Sequence, residues 1–264
     1  MLDHIDITRV LFFDIETVPA EEKFELLNLD WQGLWAYKCK SLLKKDEANI
    51  SSEELEIAYE RAGIYSEFGK IICISVGYLH PDKETKSFEV RIKSFHGHDE
   101  KTLLKEFSAI INQFFNKKEN PFVSLCGHNI REFDVPYVCR RMVINQLELP
   151  TLFDVAGKKP WEVKFIVDTL EIWKFGDNKA YTSLKLLCAL FGIKSPKGDI
   201  SGADVAKVYC EEKSTDRIAR YCERDVFAVM ELLLKFKLRI SHLESDTECV
   251  VLLFSEQVLR SVCL

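Results

Sequence analysis

The chain has 264 residues, of which 47% are hydrophobic, so it is long enough to bury a full core in one large domain or two small ones. Acidic residues outnumber basic residues by 42 to 36, which argues against the broad electropositive surface that drives non-specific binding to duplex nucleic acid. Nine cysteines without a C-x-x-C pair favour free thiols in a reducing compartment over a disulfide framework or a structural zinc site.

The sequence shows no membrane or export signal. The first residues, MLDHIDITRV, lack the basic and apolar regions of a signal peptide. The apolar run CVVLLF near the end is too short to span a bilayer. We therefore expect a cytoplasmic protein without a membrane partner, and the sequence identifies no protein partner.

The first predicted element is a strand over Val10–Asp14, within the stretch VLFFDIETVP. Successive side chains of a strand point to opposite faces, so Asp14 and Glu16 share one face and repel each other. Two interpretations are open from this stretch alone. Either the strand ends in a solvated turn before Pro19, or a positive group that is not part of the chain compensates the two charges.

A charged segment at about residues 21–62 then interrupts the order of strands, and its composition predicts a helical insertion. In SSEELEIAYERAG, Ser51 or Ser52 is suited to cap a helix that Gly63 would close. We expect this insertion to belong to one domain that extends over residues 1–239. Residues 240–264 form a C-terminal tail to which the sequence assigns no role.

Further strands and helices follow the insertion. Three strands in succession suggest an antiparallel meander, and the later alternation of strands and helices suggests parallel crossovers. The predicted fold is therefore α/β, with a mixed sheet of three antiparallel plus two parallel strands flanked by helices. The later strands are Lys70–Tyr78, Ser87–Phe95, Phe122–Gly127 and Phe165–Thr169. The helices are Thr102–Asn116, Phe133–Gln146, Ser183–Phe191, Ala203–Glu211 and Thr215–Arg239.

Two acidic positions in this part of the chain have informative neighbours. Asp134 follows a strand and a polar turn, at a strand-to-helix junction of the kind where ligand-binding groups collect. It could equally be a first-turn carboxylate that complements the helix dipole. Tyr221 and Asp225 are four residues apart and share one face of a predicted helix. That pair could also be the edge of an amphipathic helix.

Together these motifs resemble the three exonuclease motifs of the DEDDy class of 3′-5′ exonucleases, which are D-x-E, N-x-x-x-[FY]-D and Y-x-x-x-D. The matching residues are Asp14 and Glu16, then Asn129, Phe133 and Asp134, then Tyr221 and Asp225. The phrases EFGKIICISVGY and YTSLKLLCALFGI also look like the stand-alone predicted exonucleases related to the proofreading domain of family B DNA polymerases. The resemblance covers roughly Val10–Arg239.

The resemblance implies a ribonuclease H-like fold and two divalent metal ions, Mg²⁺ or Mn²⁺, which suit carboxylate ligands. By the same resemblance, Asp14 would contact both ions, Glu16 and Asp225 would complete the nucleophile side, and Asp134 would hold the leaving-group side. Tyr221 would orient the attacking water.

Several weaker signals lie near these motifs. By resemblance, Asn129, Phe133, Lys179 and Tyr181 are candidates for contact with the substrate, although a solvated loop is an equal alternative for the last two. We interpret Asp168 as a support of the site rather than a ligand. The sequence HGH at residues 96–98 is interpreted as a polar strand end rather than a metal site.

The sequence thus predicts a metal-dependent 3′-5′ exonuclease that acts on the 3′ ends of single-stranded DNA. Two alternatives are open. An exoribonuclease would use the same site on RNA, and a catalytically silent nucleic-acid-binding module would keep only the fold.

Overall fold

The chain forms one five-stranded sheet with helices on both faces. The computed structural model describes residues 2, 4–81, 88–116, 118, 121–177, 181–193 and 200–240, with side chains up to residue 237. The strands are β1 Val10–Pro19, β2 Gly69–Pro81, β3 Phe88–His96, β4 Ser124–Gly127 and β5 Ile166–Asp168. The α-helices of these residues are α1 Leu29–Leu43, α2 Ser52–Tyr59, α3 Glu100–Phe115, α4 Asp134–Ile144, α5 Thr169–Lys174, α6 Leu184–Leu190, α7 Val205–Glu212 and α8 Asp216–Ile240.

The order of strands in the sheet is β3-β2-β1-β4-β5. β1 pairs antiparallel with β2, and β2 pairs antiparallel with β3. β4 is parallel to both β1 and β5. The predicted mixed sheet of three antiparallel and two parallel strands is therefore confirmed, and it has the ribonuclease H-like arrangement.

The central strand β1 is buried on both faces. Leu11, Phe13 and Ile15 point into a core cluster that includes apolar side chains of α3 and α4. Val10 and Phe12 point to the other face, where they meet apolar residues of α8. This double burial explains the continuous apolar run VLFF, because a strand with helices on both faces needs no polar alternation.

β1 is also longer than predicted. It continues through both carboxylates to Pro19, and Glu16 is only 9% exposed. The interpretation that the strand ends in a solvated turn before Pro19 is therefore wrong. The register with β2 shifts just after Glu16, because Glu16 pairs with Cys73 whereas Thr17 pairs with Ile71. This irregularity is a β-bulge of the kind found beside functional sites, where it changes the direction of neighbouring side chains.

The predicted helical insertion contains α1 and α2. Its small core is formed by Trp35, Cys39, Tyr59, Ala62 and Phe68. The insertion leaves the sheet after β1 and returns at β2, where the amide of Ala20 donates to the carbonyl of Phe68 at 2.8 Å.

The predicted serine cap is present at the start of α2, but the predicted glycine does not end the helix. The Ser51 side chain accepts from the amide of Glu54, and Glu54 accepts in return from the amide of Ser51, which is a capping box. Gly63 does not close this helix, because α2 already ends at Tyr59. A Cβ at Gly63 would lie 2.9 Å from the backbone of Val18, so a close approach to β1 requires glycine here.

The five predicted helices correspond to α3, α4, α6, α7 and α8, with ends within two residues of the prediction. At the last strand the prediction extended too far, because Thr169 begins α5. Ser87 and residues 241–264, which include almost all of the predicted tail, lie outside the described residues. Among the described residues, no helix is both long and apolar enough to cross a membrane.

A buried ion pair joins α3 to α4. The Glu100 carboxylate accepts from Arg141 Nε at 2.8 Å and Nη2 at 2.6 Å, and also from Asn145 Nδ2 at 2.8 Å. The amide of Ile71 in β2 donates to the same carboxylate at 2.7 Å. The pair therefore fixes α4 relative to the sheet, which matters because α4 begins at Asp134.

We expect Glu100→Gln to lower the free energy of unfolding by about 3–5 kcal/mol, because it leaves the charge of Arg141 buried without a counterion. Urea denaturation would measure the change. Glu211→Gln is the matched control, because the pair that Glu211 forms with Lys207 is largely exposed and contributes little. Equal, small effects of the two substitutions would contradict the structural role of Glu100.

Candidate active site

Two carboxylates of β1 lie on the face that α8 covers. Asp14 is half-buried, and Glu16 is 9% exposed. The Glu16 carboxylate has no hydrogen-bond partner among the described residues. One oxygen of each carboxylate and the Sγ of Cys222 lie within 4.8 Å of one another. The charges that the sequence places on one face of a strand are thus concentrated in a small, largely dry space.

Asp134 reaches the same strand from the opposite side. It is the first residue of α4 and is 4% exposed. Its Oδ1 accepts a hydrogen bond from the amide of Ile15 at 3.1 Å, and Ile15 lies between Asp14 and Glu16. Burial raises the pKa of Asp134 to about 7, while the hydrogen bond from Ile15 opposes the shift and the charge of Asp168 adds to it.

The turn before α4 is held by Asp168, at the end of β5. Its carboxylate accepts from the amides of Asn129 at 2.9 Å, Arg131 at 3.1 Å and Leu170 at 2.9 Å. Asn129 adopts a left-handed backbone conformation with φ of 63°, which Asn tolerates better than most residues. Asp168 thus supports the turn that leads to Asp134.

The predicted substrate residues of this turn differ in exposure. Asn129 is partly exposed, and its side chain has no hydrogen-bond partner among the described residues. Phe133 is half-buried, with its ring 5.4 Å from that of Tyr137, and it packs against the core. Phe133 therefore has a packing role, whether or not it also contacts the substrate.

Tyr181 lies at the mouth of the carboxylate cluster and is 64% exposed. Partial burial raises its pKa, and the nearby charges of Asp134, Asp168 and Asp14 add to the shift. Its ring is 6.2 Å from that of His128, edge to face. His128 Nε2 lies 2.9 Å from the carbonyl oxygen of Thr182 and so anchors this segment. The predicted Lys179 lies outside the described residues.

Tyr221 and Asp225 face the cluster from α8, one turn apart, and their side chains lie beside each other. Burial raises the pKa of Asp225 to about 6, against the effect of the Tyr221 hydroxyl and the charge of Arg224. Burial also raises the pKa of Tyr221, and the charges of Asp225 and Glu16 raise it further. The Tyr221 hydroxyl therefore stays protonated near neutral pH and can act as a hydrogen-bond donor.

The carboxylates influence one another strongly. Burial raises the pKa of Asp14, and the charges of Asp134 and Asp225 add to the shift. Burial likewise raises the pKa of Glu16, and the charges of Asp14 and Asp225 raise it further. A bound cation would relieve this repulsion, and carboxylate oxygens are the ligands that Mg²⁺ and Mn²⁺ prefer. The unpartnered, buried carboxylate of Glu16 fits such an ion.

The two histidines of HGH serve a different purpose. His96 Nδ1 lies 2.7 Å from Thr215 Oγ1, and His98 Nδ1 lies 2.9 Å from the Tyr209 hydroxyl. They join the end of β3 to the region of α7 and α8. Within the described ranges, the donor atoms of His, Cys, Asp and Glu form no metal-sized group apart from the one at Asp14. The interpretation of HGH as a polar strand end agrees with these contacts.

Sequence reasoning missed Cys222, which lies between Tyr221 and Asp225 in α8. Its Sγ is 3.3 Å from Asp14 Oδ2 and 3.4 Å from the Asp14 carbonyl oxygen. Burial raises the pKa of this thiol, as do its contact with Cys73 and the neighbouring carboxylates. Its position next to Tyr221 was the available signal, but a cysteine on a helix is usually only a packing residue.

The raised pKa values predict how the stability of the metal-free protein depends on pH. The unfolded chain releases the protons of these carboxyls near pH 4, whereas the folded protein holds those of Asp225 and Asp134 to about 6 and about 7. Stability should therefore fall as the pH rises from about 4 to 7, because the folded state binds more protons in this window. Urea denaturation in EDTA at several pH values would measure the fall.

Asp225→Asn should show a smaller fall than the wild-type protein over the same window, because it removes one of the groups responsible. Asp30→Asn, which changes an exposed carboxylate of α1, is the matched control and should follow the wild type. Parallel curves for all three proteins would show that Asp225 does not share a site with other carboxylates.

The structure is similar to that of a family B DNA polymerase from the hyperthermophilic archaeon Pyrobaculum calidifontis, with a TM-score of 0.51 and 16% sequence identity. The similarity covers 86% of this chain but 24% of the polymerase, so the chain spans about a quarter of that protein. At this identity the similarity shows a shared fold. No curated protein has a significantly similar sequence.

A family model supplies more specific information. Residues 64–261 match the model described as a predicted 3′-5′ exonuclease related to the exonuclease domain of PolB. The match includes Asp134, Tyr221 and Asp225, whereas Asp14 and Glu16 precede it. Because the match spans well over half of the sequence, the chain belongs to the family of predicted 3′-5′ exonucleases related to the exonuclease domain of PolB.

Proposed function

We propose that this chain is a metal-dependent exonuclease that removes nucleotides from the 3′ ends of single-stranded DNA. The observation that carries the proposal is the convergence of four carboxylates and a protonated tyrosine from β1, α4 and α8. The exonuclease domain extends over residues 1–239 in this proposal, and its setting is the cytoplasm. The free thiols of the described cysteines agree with a reducing compartment.

The residues that would hold the metal ions are Asp14, Glu16, Asp134 and Asp225. Two ions of Mg²⁺ or Mn²⁺, when bound, supply activation of water and stabilisation of the leaving oxygen in phosphodiester hydrolysis. The protein supplies rigidity. Asp14 and Glu16 are paired with Ser75 and Cys73 of β2, and the amide of Ile15 holds Asp134.

Tyr221 acts on the attacking water in this proposal. Its hydroxyl is protonated and lies beside Asp225, so it is a poor base but a suitable group to orient a water molecule. This arrangement supports the assignment of Tyr221 as a catalytic residue that positions rather than deprotonates.

The substrate contacts are local, which fits the net charge of −6. The exposed ring of Tyr181 offers a surface on which a terminal base can stack. Asn129 and Phe133, in the turn before α4, are further candidates for contact with the substrate. Lys179, two residues before Tyr181, would contact a phosphate. The relation to family B DNA polymerases favours DNA over RNA.

Single-stranded DNA with a 5′ label should be shortened stepwise from its 3′ end. EDTA should abolish the reaction, Mg²⁺ or Mn²⁺ should restore it, and Asp14→Asn should be inactive because the ions lose a ligand. Gel electrophoresis of matched 5′- and 3′-labelled DNA and RNA oligonucleotides would measure the products. Faster cleavage of RNA than of DNA would show that RNA is the preferred substrate. Cleavage of circular single-stranded DNA, which has no ends, would contradict the exonuclease assignment.

Tyr221→Phe should lower kcat by about 10²–10⁴-fold, because it removes the hydroxyl that orients the water. The Mn²⁺ concentration for half-maximal activity should change little, since the phenol is not a proposed ligand. Tyr37→Phe is the matched control, because Tyr37 is 68% exposed on α1. Wild-type turnover of Tyr221→Phe would show that this tyrosine only forms part of a helix surface.

A further inference from the structure

Two buried thiols lie next to the carboxylates. One belongs to β2 and the other to α8, the helix that covers this face of the sheet. Cys73 in β2 is opposite Glu16 in the strand register, and Cys222 projects from α8. Both are 0% exposed. Cys73 Sγ lies 3.7 Å from Ser75 Oγ, and the Cys222 thiol donates to Asp14.

Asp14, like Asp134, is held by a hydrogen-bond donor. Asp134 accepts from the backbone amide of Ile15, whereas the Glu16 carboxylate has no hydrogen-bond partner among the described residues. Among the described residues, Cys222 is the side chain that donates to the Asp14 carboxylate. The charges of Asp134 and Asp225 repel this carboxylate, so without a donor its side chain would turn away from the cluster.

We propose that Cys222 is a positioning residue of the metal site, whose thiol fixes one oxygen of Asp14 and leaves the other available to a metal ion. This inference rests on the proposed function, because it assigns the thiol a role in that same site. A thiol is suited to the task because it is small, tolerates burial and donates a hydrogen bond without adding charge. Complete burial restrains the rotamer of Cys222 and therefore its direction.

The chemistry of Mg²⁺ and Mn²⁺ favours this role over direct ligation, because both ions prefer oxygen to sulfur ligands. Sγ is 3.4 Å from the Asp14 carbonyl oxygen and 3.3 Å from Asp14 Oδ2, so one residue offers two acceptors to a single donor. Partners that orient a metal ligand typically change metal affinity or activity by about 10–100-fold when they are removed. An effect of that size separates positioning from simple core packing.

The test compares Cys222→Ala, Cys222→Ser and Cys39→Ala. Cys39 is also 0% exposed but lies in the core of the insertion, so its replacement removes a buried thiol away from the carboxylates. Thermal unfolding is measured at increasing Mn²⁺, and each rise in melting temperature is taken relative to the metal-free melting temperature of the same variant. The result is the Mn²⁺ concentration that gives half-maximal stabilisation. A loss of stability alone therefore does not imitate a loss of metal binding.

We expect Cys222→Ala to raise this Mn²⁺ concentration about 10–100-fold and to lower kcat, with KM for DNA unchanged. Cys222→Ser keeps a donor and should recover much of the loss, and Cys39→Ala should match the wild type. A wild-type Mn²⁺ midpoint for Cys222→Ala would overturn the proposal in favour of packing. A thiolate-to-metal charge-transfer absorption with Cd²⁺, lost in Cys222→Ser, would overturn it in favour of direct ligation.

These outcomes are separable from the proposed function. An active wild-type enzyme whose Mn²⁺ midpoint is insensitive to Cys222→Ala would overturn only the role of Cys222. A wild-type protein that hydrolyses no oligonucleotide, but whose Mn²⁺ midpoint shifts in Cys222→Ala, would overturn the exonuclease assignment and support the positioning role.

Discussion

Electrostatic repulsion among four carboxylates, two of them buried and two half-buried, is the constraint on which the rest of this structure depends. Unpaired buried charges are costly, and a chain can avoid the cost by letting the side chains turn towards water. Here that escape is limited because Asp14 and Glu16 lie in β1, the strand at the centre of the sheet. β1 pairs with β4 at Val10–Phe12 and with β2 from Phe12 to Pro19, and it is packed on both faces, so its backbone is held in place.

The other carboxylates are brought to β1 by elements whose positions are fixed independently. The turn before α4 is held by the amides that bind Asp168, and the body of α4 is held by the pair between Glu100 and Arg141. α8 is a helix of 25 residues whose apolar side packs across the sheet. A site of like charges therefore rests on hydrophobic burial and on buried polar contacts that lie outside it.

Much of this arrangement could be predicted from the sequence, because the informative patterns are local. The period of a strand places Asp14 and Glu16 on one face, and the period of a helix does the same for Tyr221 and Asp225. The features that escaped prediction depend on partners far away in the chain. Cys222 and Asp14 are 208 residues apart, and the bulge after Glu16 arises only when β1 meets β2. The role of Gly63 was misassigned for the same reason, since its neighbour is Val18 and not the preceding helix.

The hydrogen bond between Ala20 and Phe68 has an evolutionary consequence. It closes the base of the insertion, and beyond it β1 and β2 continue to pair from Pro19 and Gly69. In topological terms the insertion is an enlarged hairpin loop, and the entropy of closing a loop grows only slowly with its length. Lineages could therefore lengthen, shorten or exchange this segment while the register of the central hairpin, and with it the placement of Asp14 and Glu16, is inherited unchanged.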